Sequence, residues 1–250
     1  MDVRLDTLVS LKLGASREYA KEMILDGKCF VDGKVATKPG ARFSSTADVL
    51  VTGEKMPFVS RGGLKLAKAL QEFSIDLSDL ICLDIGASTG GFTDCMLANG
   101  AKCVIALDNG HGQLALSLLR NHRVISMEGR DIRSTTPKDL PHKPDFFACD
   151  LSFISLEKVM PAIANLLSLR VQGIFLLKPQ FECGPGKVNK RGVVENMTIH
   201  SLIIDRIYNA LAVNGFDILG ICDSPVTGRN GNKEYLIFVE KNHNPPGGIL

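Results

Sequence analysis

The chain has 250 residues, 45% of them hydrophobic and 22% charged, which is typical of a folded globular protein and excludes a disordered or fibrous one. Its formal net charge of only +2 does not by itself indicate a nucleic-acid partner, so an RNA-binding role would need cations gathered on one face. The seven cysteines form no C-x-x-C pair and are odd in number, which favours reduced thiols and a cytoplasmic location. The sequence shows no signal peptide and no run of about 18 apolar residues, so we predict no membrane span.

The first sixty residues predict a small unit of two helices and a β-hairpin. Apolar residues at helical spacing run from Arg4 to Leu13, and Gly14 stands where a C-cap glycine would lie. Ser16 is placed to cap a second helix, which Gly27 ends. The pair Asp32-Gly33 lies between two short apolar runs, which is the signal of a tight hairpin.

The stretch RLDTLVSLKLGASREYAKEMILDGKCFVDGKV resembles the S4-like RNA-binding domain, and the resemblance covers nearly all of residues 2–52. It implies that five cations lie near the exposed face of the helix pair and contact RNA phosphates, each adding salt-dependent affinity. These cations are Arg4, Lys12, Arg17, Lys21 and Lys28. Residues 1–58 hold nine Lys and Arg against eight Asp and Glu, so a solvated surface position is the alternative for each of them.

From Ile81 onward, short apolar runs alternate with amphipathic segments, and two more strand-like runs follow near the end. This alternation predicts an α/β fold with a mostly parallel sheet, whose ligand lies at the carboxyl ends of the strands. We therefore predict two domains, residues 1–58 with a linker and residues 59–250. The segment NHNPPGG, residues 242–248, is predicted to be loose.

The segment LDIGASTGGF, residues 83–92, predicts a strand that ends in an acid and enters a glycine-rich turn before a helix. Such a turn lets the backbone approach a nucleotide-like ligand, and Asp108 at the end of the next strand can accept hydrogen bonds from ribose hydroxyls. Both NAD and S-adenosylmethionine satisfy this pattern, but the spacing G-x-x-x-G-G and the acid ahead of the first glycine favour the cationic sulfonium. The predicted cofactor-binding residues are Asp84, Gly86, Ala87, Ser88, Thr89, Gly90, Gly91, Phe92, Asp108 and Asp131. Asp131 is a candidate for binding the adenine amine of the cofactor; alternatively, it is an exposed acid in a loop.

LDIGASTGGF is similar to the cofactor loop of the FtsJ and TlyA groups of ribose methyltransferases, and SRGGLKL, residues 60–66 at the start of the predicted second domain, is similar to a TlyA segment. The resemblance implies a Rossmann-like domain that depends on S-adenosylmethionine and carries a catalytic tetrad. The matching residues are Lys65, Asp150, Lys178 and Glu234. Without the resemblance, Asp150 and Lys178 are charged residues that close apolar strands at the ligand edge. Lys65 alone would be interpreted as a surface residue, because Leu66 takes the buried face of its helix.

Ribose methylation requires the 2′-hydroxyl to point in line at the donor methyl and to lose its proton as the bond forms. Lys178 is the candidate for steering and deprotonating that hydroxyl. Lys65 nearby would favour the neutral amine of Lys178, whereas Asp150 and Glu234 would favour the ammonium. The division of labour within the tetrad therefore stays open.

The basic segment GPGKVNKRG, residues 184–192, is predicted to be a flexible loop over the substrate, with an ordinary mobile surface loop as the alternative. Its candidate RNA-binding residues are Lys187, Lys190 and Arg191. It is not a phosphate loop of the Walker kind, because Val188 stands where Ser or Thr would hold magnesium.

Other chemistries fit the residues less well. Methylation of a base amine usually uses a [DN]-P-P-aromatic loop, and Asp150-Leu151-Ser152-Phe153 lacks both prolines. Cys149 is a possible nucleophile for carbon methylation, but an apolar strand more often buries a cysteine as a small hydrophobe. The five histidines show no ligand spacing, so we predict no metal site.

The TlyA resemblance implies 2′-O-methylation of cytidine in ribosomal RNA, with ribosomal RNA or ribosomal subunits as partners. The alternative is a non-catalytic RNA-binding or haemolysin-like protein that retains the methyltransferase fold, since members of this family have also been labelled haemolysins. The lack of an apolar span argues against a membrane-damaging role. One departure from the family is the junction EKMPFVSRGG, which has no aromatic-rich basic linker.

Overall fold

The computed structural model describes residues 2–52 and 56–243. The strands are β1 (Asp2–Arg4), β2 (Cys29–Val31), β3 (Lys34–Val35), β4 (Arg42–Ser44), β5 (Val49–Val51), β6 (Ile81–Ile85), β7 (Cys103–Asp108), β8 (Val124–Glu128), β9 (Phe146–Cys149), β10 (Gln172–Leu177), β11 (Phe216–Asp223) and β12 (Tyr235–Lys241). The helices are α1 (Leu5–Leu13), α2 (Arg17–Leu25), α3 (Gly62–Glu72), α4 (Gly91–Ala98), α5 (Leu116–Leu119), α6 (Met160–Leu166), α7 (Pro179–Glu182) and α8 (Met197–Val213). Most of the tail predicted to be loose, from residue 244 on, lies outside the described residues.

The N-terminal unit has the helix pair and the hairpin that its sequence predicts. Gly14 ends α1 in the left-handed conformation, and the Ser16 hydroxyl accepts a 3.2 Å hydrogen bond from the backbone N–H of Tyr19 at the start of α2. Strands β3, β2 and β5 form one small sheet in that order, and a core that includes Leu5 and Ile24 lies between helices and strands. A second sheet, formed by β1 and β4, was not predicted, because strands of three residues carry too little alternation to be recognised.

The second unit contains a seven-stranded sheet in the order β11-β12-β10-β9-β6-β7-β8. Strands β10, β9, β6, β7 and β8 run parallel, whereas β12 runs antiparallel to both β10 and β11. The predicted α/β fold with a mostly parallel sheet is confirmed. The chain leaves β6 toward β7 and β8 and then returns to β9 on the other side, so a topological switch point lies between β6 and β9, where α/β folds bind ligands.

Apolar residues cover both faces of this sheet. One face packs against α6 and α8 through residues such as Ile163 and Ile207, and the other packs against α3 and α4 through Leu66 and Met96. The result is a three-layer arrangement in which alternate residues of each strand point to opposite layers. Both layers are closed by helices, so ligands reach the sheet at the ends of its strands.

Two further observations concern features that the sequence analysis considered. All seven cysteines are unpaired, and five of them are buried. Within residues 2–52 and 56–243, no helix has the length and apolar character needed to cross a membrane.

Candidate active site

The carboxyl ends of β6, β9 and β10 meet at a cavity of about 230 Å³. The glycine-rich turn that follows β6 forms one wall, and Lys65, Asp150 and Lys178 form another. Helix α2 of the N-terminal unit contributes Tyr19 and Glu22, both partly exposed, to the lining, and we call this side of the cavity its mouth. The cavity therefore brings together residues of both units and the predicted catalytic lysines.

Lys178 and Asp150 meet because their strands are parallel neighbours. Asp150 follows the last residue of β9, Lys178 follows the last residue of β10, and the two side chains form a close ion pair. The Lys178 ammonium also donates a 2.8 Å hydrogen bond to the hydroxyl of Ser152. A buried carboxylate on α7, that of Glu182, accepts hydrogen bonds from Ser155 Oγ at 2.6 Å and from the backbone N–H of Leu156 at 2.8 Å. These bonds fix the loop that carries Ser152 against the helix that follows Lys178.

Glu234 lies at the same edge of the sheet as Asp150 and Lys178, but it precedes its strand, because β12 runs antiparallel to β10. Tyr235 pairs with Leu177 in the antiparallel register of β12 and β10, so Glu234 lies beside Lys178 in the next register position. Its carboxylate Oε2 accepts a 2.5 Å hydrogen bond from the ammonium of Lys65, and the two side chains are 2% and 11% exposed. The surface position considered for Lys65 is therefore wrong, because this buried ion pair turns the lysine inward.

Gly228 packs against the Glu234 carboxylate. A Cβ at position 228 would lie 2.0 Å from Glu234 Oε1, so only glycine leaves room for the carboxylate where it stands. Asn232, two residues before Glu234, is buried, and its side-chain oxygen accepts a 3.2 Å hydrogen bond from the backbone N–H of Val194. Both contacts hold the start of β12 in place.

Asp84 is a fully buried carboxylate beneath the glycine-rich turn. Its Oδ2 accepts a 2.6 Å hydrogen bond from Thr93 Oγ1, while its Oδ1 is buried and accepts no hydrogen bond from any residue that the structure describes. Burial raises the pKa of Asp84 to about 7, against the lowering effect of Thr93. A buried acid with an unused oxygen is stabilised by a cationic ligand group, so this position fits a sulfonium cofactor that also carries an ammonium group.

The backbone of the glycine-rich turn lies very close to the end of β9. Gly86 has φ +87°, and a Cβ there would lie 2.4 Å from the carbonyl oxygen of Asp150. The Asp108 carboxylate accepts hydrogen bonds from the backbone N–H groups of Ser88 at 2.8 Å and Gly110 at 2.6 Å, which ties the end of β7 to the turn. The remaining predicted members of the turn are Ala87, Thr89, Gly90, Gly91 and Phe92, of which Ala87, Gly90, Gly91 and Phe92 are buried.

Asp131 lies in the loop after β8, and its carboxylate pairs with the Arg133 guanidinium. Hydrogen bonds from Arg133 lower the pKa of Asp131, and the side chain is 29% exposed. Both interpretations of Asp131, as an adenine contact or as a loop acid, stay open.

Each of the five predicted RNA-binding cations of the N-terminal unit has a partner in that unit. Arg4 and Arg17 pair with the fully buried Asp6 at 2.7 Å and 3.1 Å, and the hydrogen bond from Arg4 is the largest cause of the lowering of the Asp6 pKa to about 2. The Lys12 ammonium donates to the carbonyl oxygen of Val49. The other two pairs are Lys21 with Glu18 at 3.7 Å and Lys28 with Asp26 at 3.4 Å.

The basic loop, residues 184–192, leaves Lys187, Lys190 and Arg191 exposed. Its second half is tied to the segment before β12, because Asn230 Nδ2 donates to the carbonyl oxygen of Arg191 at 2.6 Å and Asn232 Nδ2 donates to that of Gly192 at 3.0 Å. The exposed cations of this loop are thus connected through hydrogen bonds to the segment that carries Glu234.

The residues of the site that the sequence analysis missed include Thr93, Ser152, Arg61 and Glu22. A threonine just after the glycine turn and a serine two positions after Asp150 are local signals that could have identified the first two. Arg61 and Glu22 meet only across the two units, so no local pattern in the sequence could have identified them.

The alternative chemistries find no support in the structure. Cys149 is fully buried and burial raises the pKa of its thiol, which removes support for a nucleophilic role. No cluster of three or more His, Cys, Asp or Glu that could hold a metal ion occurs in the described part of the chain.

Comparisons with known proteins agree with this geometry. The model of the FtsJ-like methyltransferase family matches residues 58–241, and that of the S4 domain matches residues 3–49. The 16S/23S rRNA (cytidine-2′-O)-methyltransferase TlyA of Mycobacterium tuberculosis is 40% identical over 93% of this chain and 87% of its own length. Hemolysin A of Brachyspira hyodysenteriae is 40% identical over 88% of this chain and 92% of its own. A solved structure of a hemolysin-named protein from Streptococcus thermophilus has 41% identity and a TM-score of 0.79, covering 98% of this chain and 90% of its own. The resemblances drawn from the sequence are confirmed.

Proposed function

The chain belongs to the FtsJ-like methyltransferase family and carries an S4 domain, and from this premise we propose that it methylates a ribose 2′-hydroxyl of cytidine in ribosomal RNA, using S-adenosylmethionine. The substrate is inferred from the relatives named rRNA (cytidine-2′-O)-methyltransferase. The observation that carries the proposal is the convergence of two ion pairs, Lys65–Glu234 and Lys178–Asp150, beside the glycine-rich turn.

The predicted cofactor residues fit a cationic nucleoside. Asp84 offers a buried, unused carboxylate oxygen, and Asp108 lies at the end of the neighbouring strand where ribose hydroxyls are expected. Bound S-adenosylmethionine would supply an electrophilic methyl group at the lip of the cavity. The turn from Gly86 to Phe92 would hold the donor, and Asp131 remains the candidate for the adenine amine.

The two ion pairs would position the acceptor ribose. The Lys178 ammonium, fixed by Asp150 and Ser152, is placed to hold the 2′-oxygen, and the Lys65–Glu234 pair closes the other side. Fixed geometry of this kind supplies a large part of the rate in a transfer between two bound groups. The Lys178–Asp150 pair would take up the proton of the 2′-hydroxyl as the methyl group leaves the sulfonium sulfur for the ribose oxygen.

The S4 domain would deliver the RNA. We place the boundary between the two domains after residue 58, with Arg4, Lys12, Arg17, Lys21 and Lys28 on one side and Lys187, Lys190 and Arg191 on the other as phosphate contacts. Ribosomal RNA or a ribosomal subunit is the proposed partner, and the cytoplasmic location predicted from the cysteines is part of this proposal.

Methyl transfer from labelled S-adenosylmethionine to ribosomal subunits tests the proposal. The subunits are purified from cells that lack the enzyme, and the labelled nucleotide is identified by its resistance to alkaline cleavage at the 2′-methylated position. We expect label in cytidine of ribosomal RNA. Cofactor binding without incorporation into any RNA would instead support the non-catalytic RNA-binding alternative.

A further inference from the structure

We propose that Arg61 binds the RNA backbone beside the modified nucleotide, and that Glu22 of the S4 domain occupies this arginine until an RNA phosphate replaces it. The inference rests on the proposed function, since it requires RNA to enter the cavity. It adds a residue to the substrate site and gives the S4 domain a role at the catalytic centre.

The pair joins the two units at the mouth of the cavity. Arg61 lies at the N-cap of α3, the helix that carries Lys65 one turn later, and Glu22 projects from α2. Their closest atoms, Nη2 of Arg61 and Oε1 of Glu22, are 2.6 Å apart, with side chains that are 40% and 36% exposed. Both residues line the same cavity as Lys65 and Lys178. Arg61 is therefore within the space that the acceptor nucleotide must occupy.

Backbone hydrogen bonds also join the two units beside the Arg61–Glu22 pair. The N–H of Ser16, at the start of α2, donates a 3.0 Å hydrogen bond to the carbonyl oxygen of Val59, and the N–H of Val59 donates a 2.8 Å hydrogen bond to Asp94 on α4. These bonds hold the segment before Arg61 without using its side chain. The guanidinium can exchange one partner for another while the segment stays in place.

Electrostatic interactions favour the replacement of Glu22 by a phosphate on Arg61 only when RNA is present. Glu18 and Glu22 both face the mouth of the cavity, and a polyanionic substrate is repelled by carboxylates at the place where it must enter. Partial burial raises the pKa of Glu22, while the neighbouring Arg61 guanidinium acts to lower it. Guanidinium binds phosphate and carboxylate with the same forked geometry, so a phosphate can take the place of Glu22 while that carboxylate returns to water.

The pairing of Glu22 with Arg61 would favour entry of RNA that the S4 domain has already bound. Free RNA has to compete with a carboxylate held close to Arg61, whereas RNA bound by the S4 domain presents its phosphates at high local concentration. Glu22 would thus reduce the occupancy of the catalytic cavity by unrelated RNA.

Three variants and a matched control test the exchange: Glu22→Gln, Arg61→Gln, the double variant, and Glu18→Gln. Glu18 lies one turn before Glu22 on α2, lines the same cavity and pairs with Lys21 instead of Arg61. Binding of unmodified ribosomal RNA is measured over a range of salt concentrations for the full-length protein. Cofactor affinity and thermal unfolding are measured in parallel as checks of folding.

We expect Glu22→Gln to tighten RNA binding by roughly two- to fivefold, the range of an exposed ion pair. Arg61→Gln should weaken binding and reduce the slope of log affinity against log salt by roughly 0.7 to 0.9, as for the loss of one phosphate contact. In the Arg61→Gln background, Glu22→Gln should have no greater effect than Glu18→Gln.

Two results would overturn the inference. If Glu22→Gln weakens RNA binding and lowers the unfolding temperature as Arg61→Gln does, the pair is a structural brace between the domains. If the effects of Glu22→Gln are the same with and without Arg61, the two residues do not compete with RNA. Either result, obtained while the wild-type protein still methylates RNA, contradicts only this inference. Absence of RNA binding and methylation in the wild-type protein would contradict the proposed function as well.

Discussion

The hydroxyl of Thr93 donates a 2.6 Å hydrogen bond to Oδ2 of Asp84, and Oδ1 of the same buried carboxylate has no such partner among the described residues. It allows the proposed cofactor-binding role of Asp84 to be tested separately from the proposed catalytic role of Lys178. We expect Asp84→Asn to weaken S-adenosylmethionine binding about tenfold or more, because an amide cannot balance a cationic ligand. Lys178→Met should leave that affinity within about twofold and reduce turnover by about 10²- to 10⁴-fold, the usual contribution of a proton-transfer group. Calorimetric titration and methyl transfer are the measurements, and equal losses of affinity in both variants would contradict the assigned roles.

The pH dependence of the protein should report Asp84. Its pKa is raised by burial to about 7, so the folded state binds this proton more tightly than the unfolded chain, where the pKa of Asp is about 3.9. The free energy of unfolding without cofactor should therefore fall as pH rises between about 4 and 7. Affinity for the cationic cofactor should rise through the same region. Unfolding and cofactor titrations from pH 5 to 8 test this, and Asp84→Asn should remove that part of both dependences.

The buried pair of Lys65 and Glu234 should contribute to both stability and activity. Lys65→Met or Glu234→Gln leaves the other partner uncompensated, so we expect a loss of about 3 to 5 kcal/mol in the free energy of unfolding. The double variant should recover much of that stability, because two uncharged groups can pack together, but it should stay inactive. Chemical denaturation and methyl transfer distinguish these effects. Activity in the double variant would show that the pair serves only to hold β12 against α3.

Gly86 should be required for its lack of a side chain and not only for its backbone angle. Gly86→Ala places a Cβ 2.4 Å from the carbonyl oxygen of Asp150, so the turn or β9 must move. Gly184→Ala is the control, since its φ of +73° is similarly left-handed but the structure describes no atom within 4 Å of the added Cβ. We expect both to lose about 1 to 3 kcal/mol through backbone strain. Only Gly86→Ala should also lose cofactor binding, which isothermal titration would show.

The ion pairs of Arg4 and Arg17 with the buried Asp6 should make the N-terminal domain less stable when the proposed RNA-binding role of these arginines is tested by substitution. Replacing Arg4 and Arg17 with glutamine leaves this carboxylate without its cations, and we expect a loss of about 1 to 3 kcal/mol from the N-terminal domain. Adding Asp6→Asn should restore most of that loss while leaving RNA affinity low. Because the Asp6 pKa is lowered to about 2, its contribution to stability is present above about pH 4 and is lost as pH falls through 2. Thermal unfolding at pH 2 to 7 and RNA binding at neutral pH are the two measurements.

Local patterns in the sequence were sufficient to predict the strands that lead to four groups of the site. These groups are the glycine-rich turn, Asp108, Asp150 and Lys178. Each of these groups follows an apolar run directly, so strand periodicity and chain order place them at one edge of a parallel sheet. The helix pair and hairpin of the S4 domain were predictable for the same reason, since their caps and turn residues lie next to the elements they end.

Contacts between distant segments were not predictable from such patterns. The periodicity of α3 assigns Lys65 to the surface, because nothing near it in the chain shows that Glu234, 169 positions away, pairs with it. Family resemblance supplied that residue, whereas Arg61 and Glu22 were missed because their contact joins two domains. The partners of Arg4 and Arg17 were missed because the sequence gives no sign that Asp6 is buried.

The antiparallel direction of β12 determines when the proposed catalytic centre can assemble. Its first residue, Tyr235, pairs with the last residue of β10, so Glu234 reaches the reactive edge only after β12 has inserted between β10 and β11. Contacts between segments so far apart in the chain form slowly and late in folding. During synthesis, the S4 domain and most of the parallel sheet leave the ribosome before this strand does. A nascent chain would therefore form the proposed RNA-binding surface of the S4 domain before the proposed catalytic tetrad is complete.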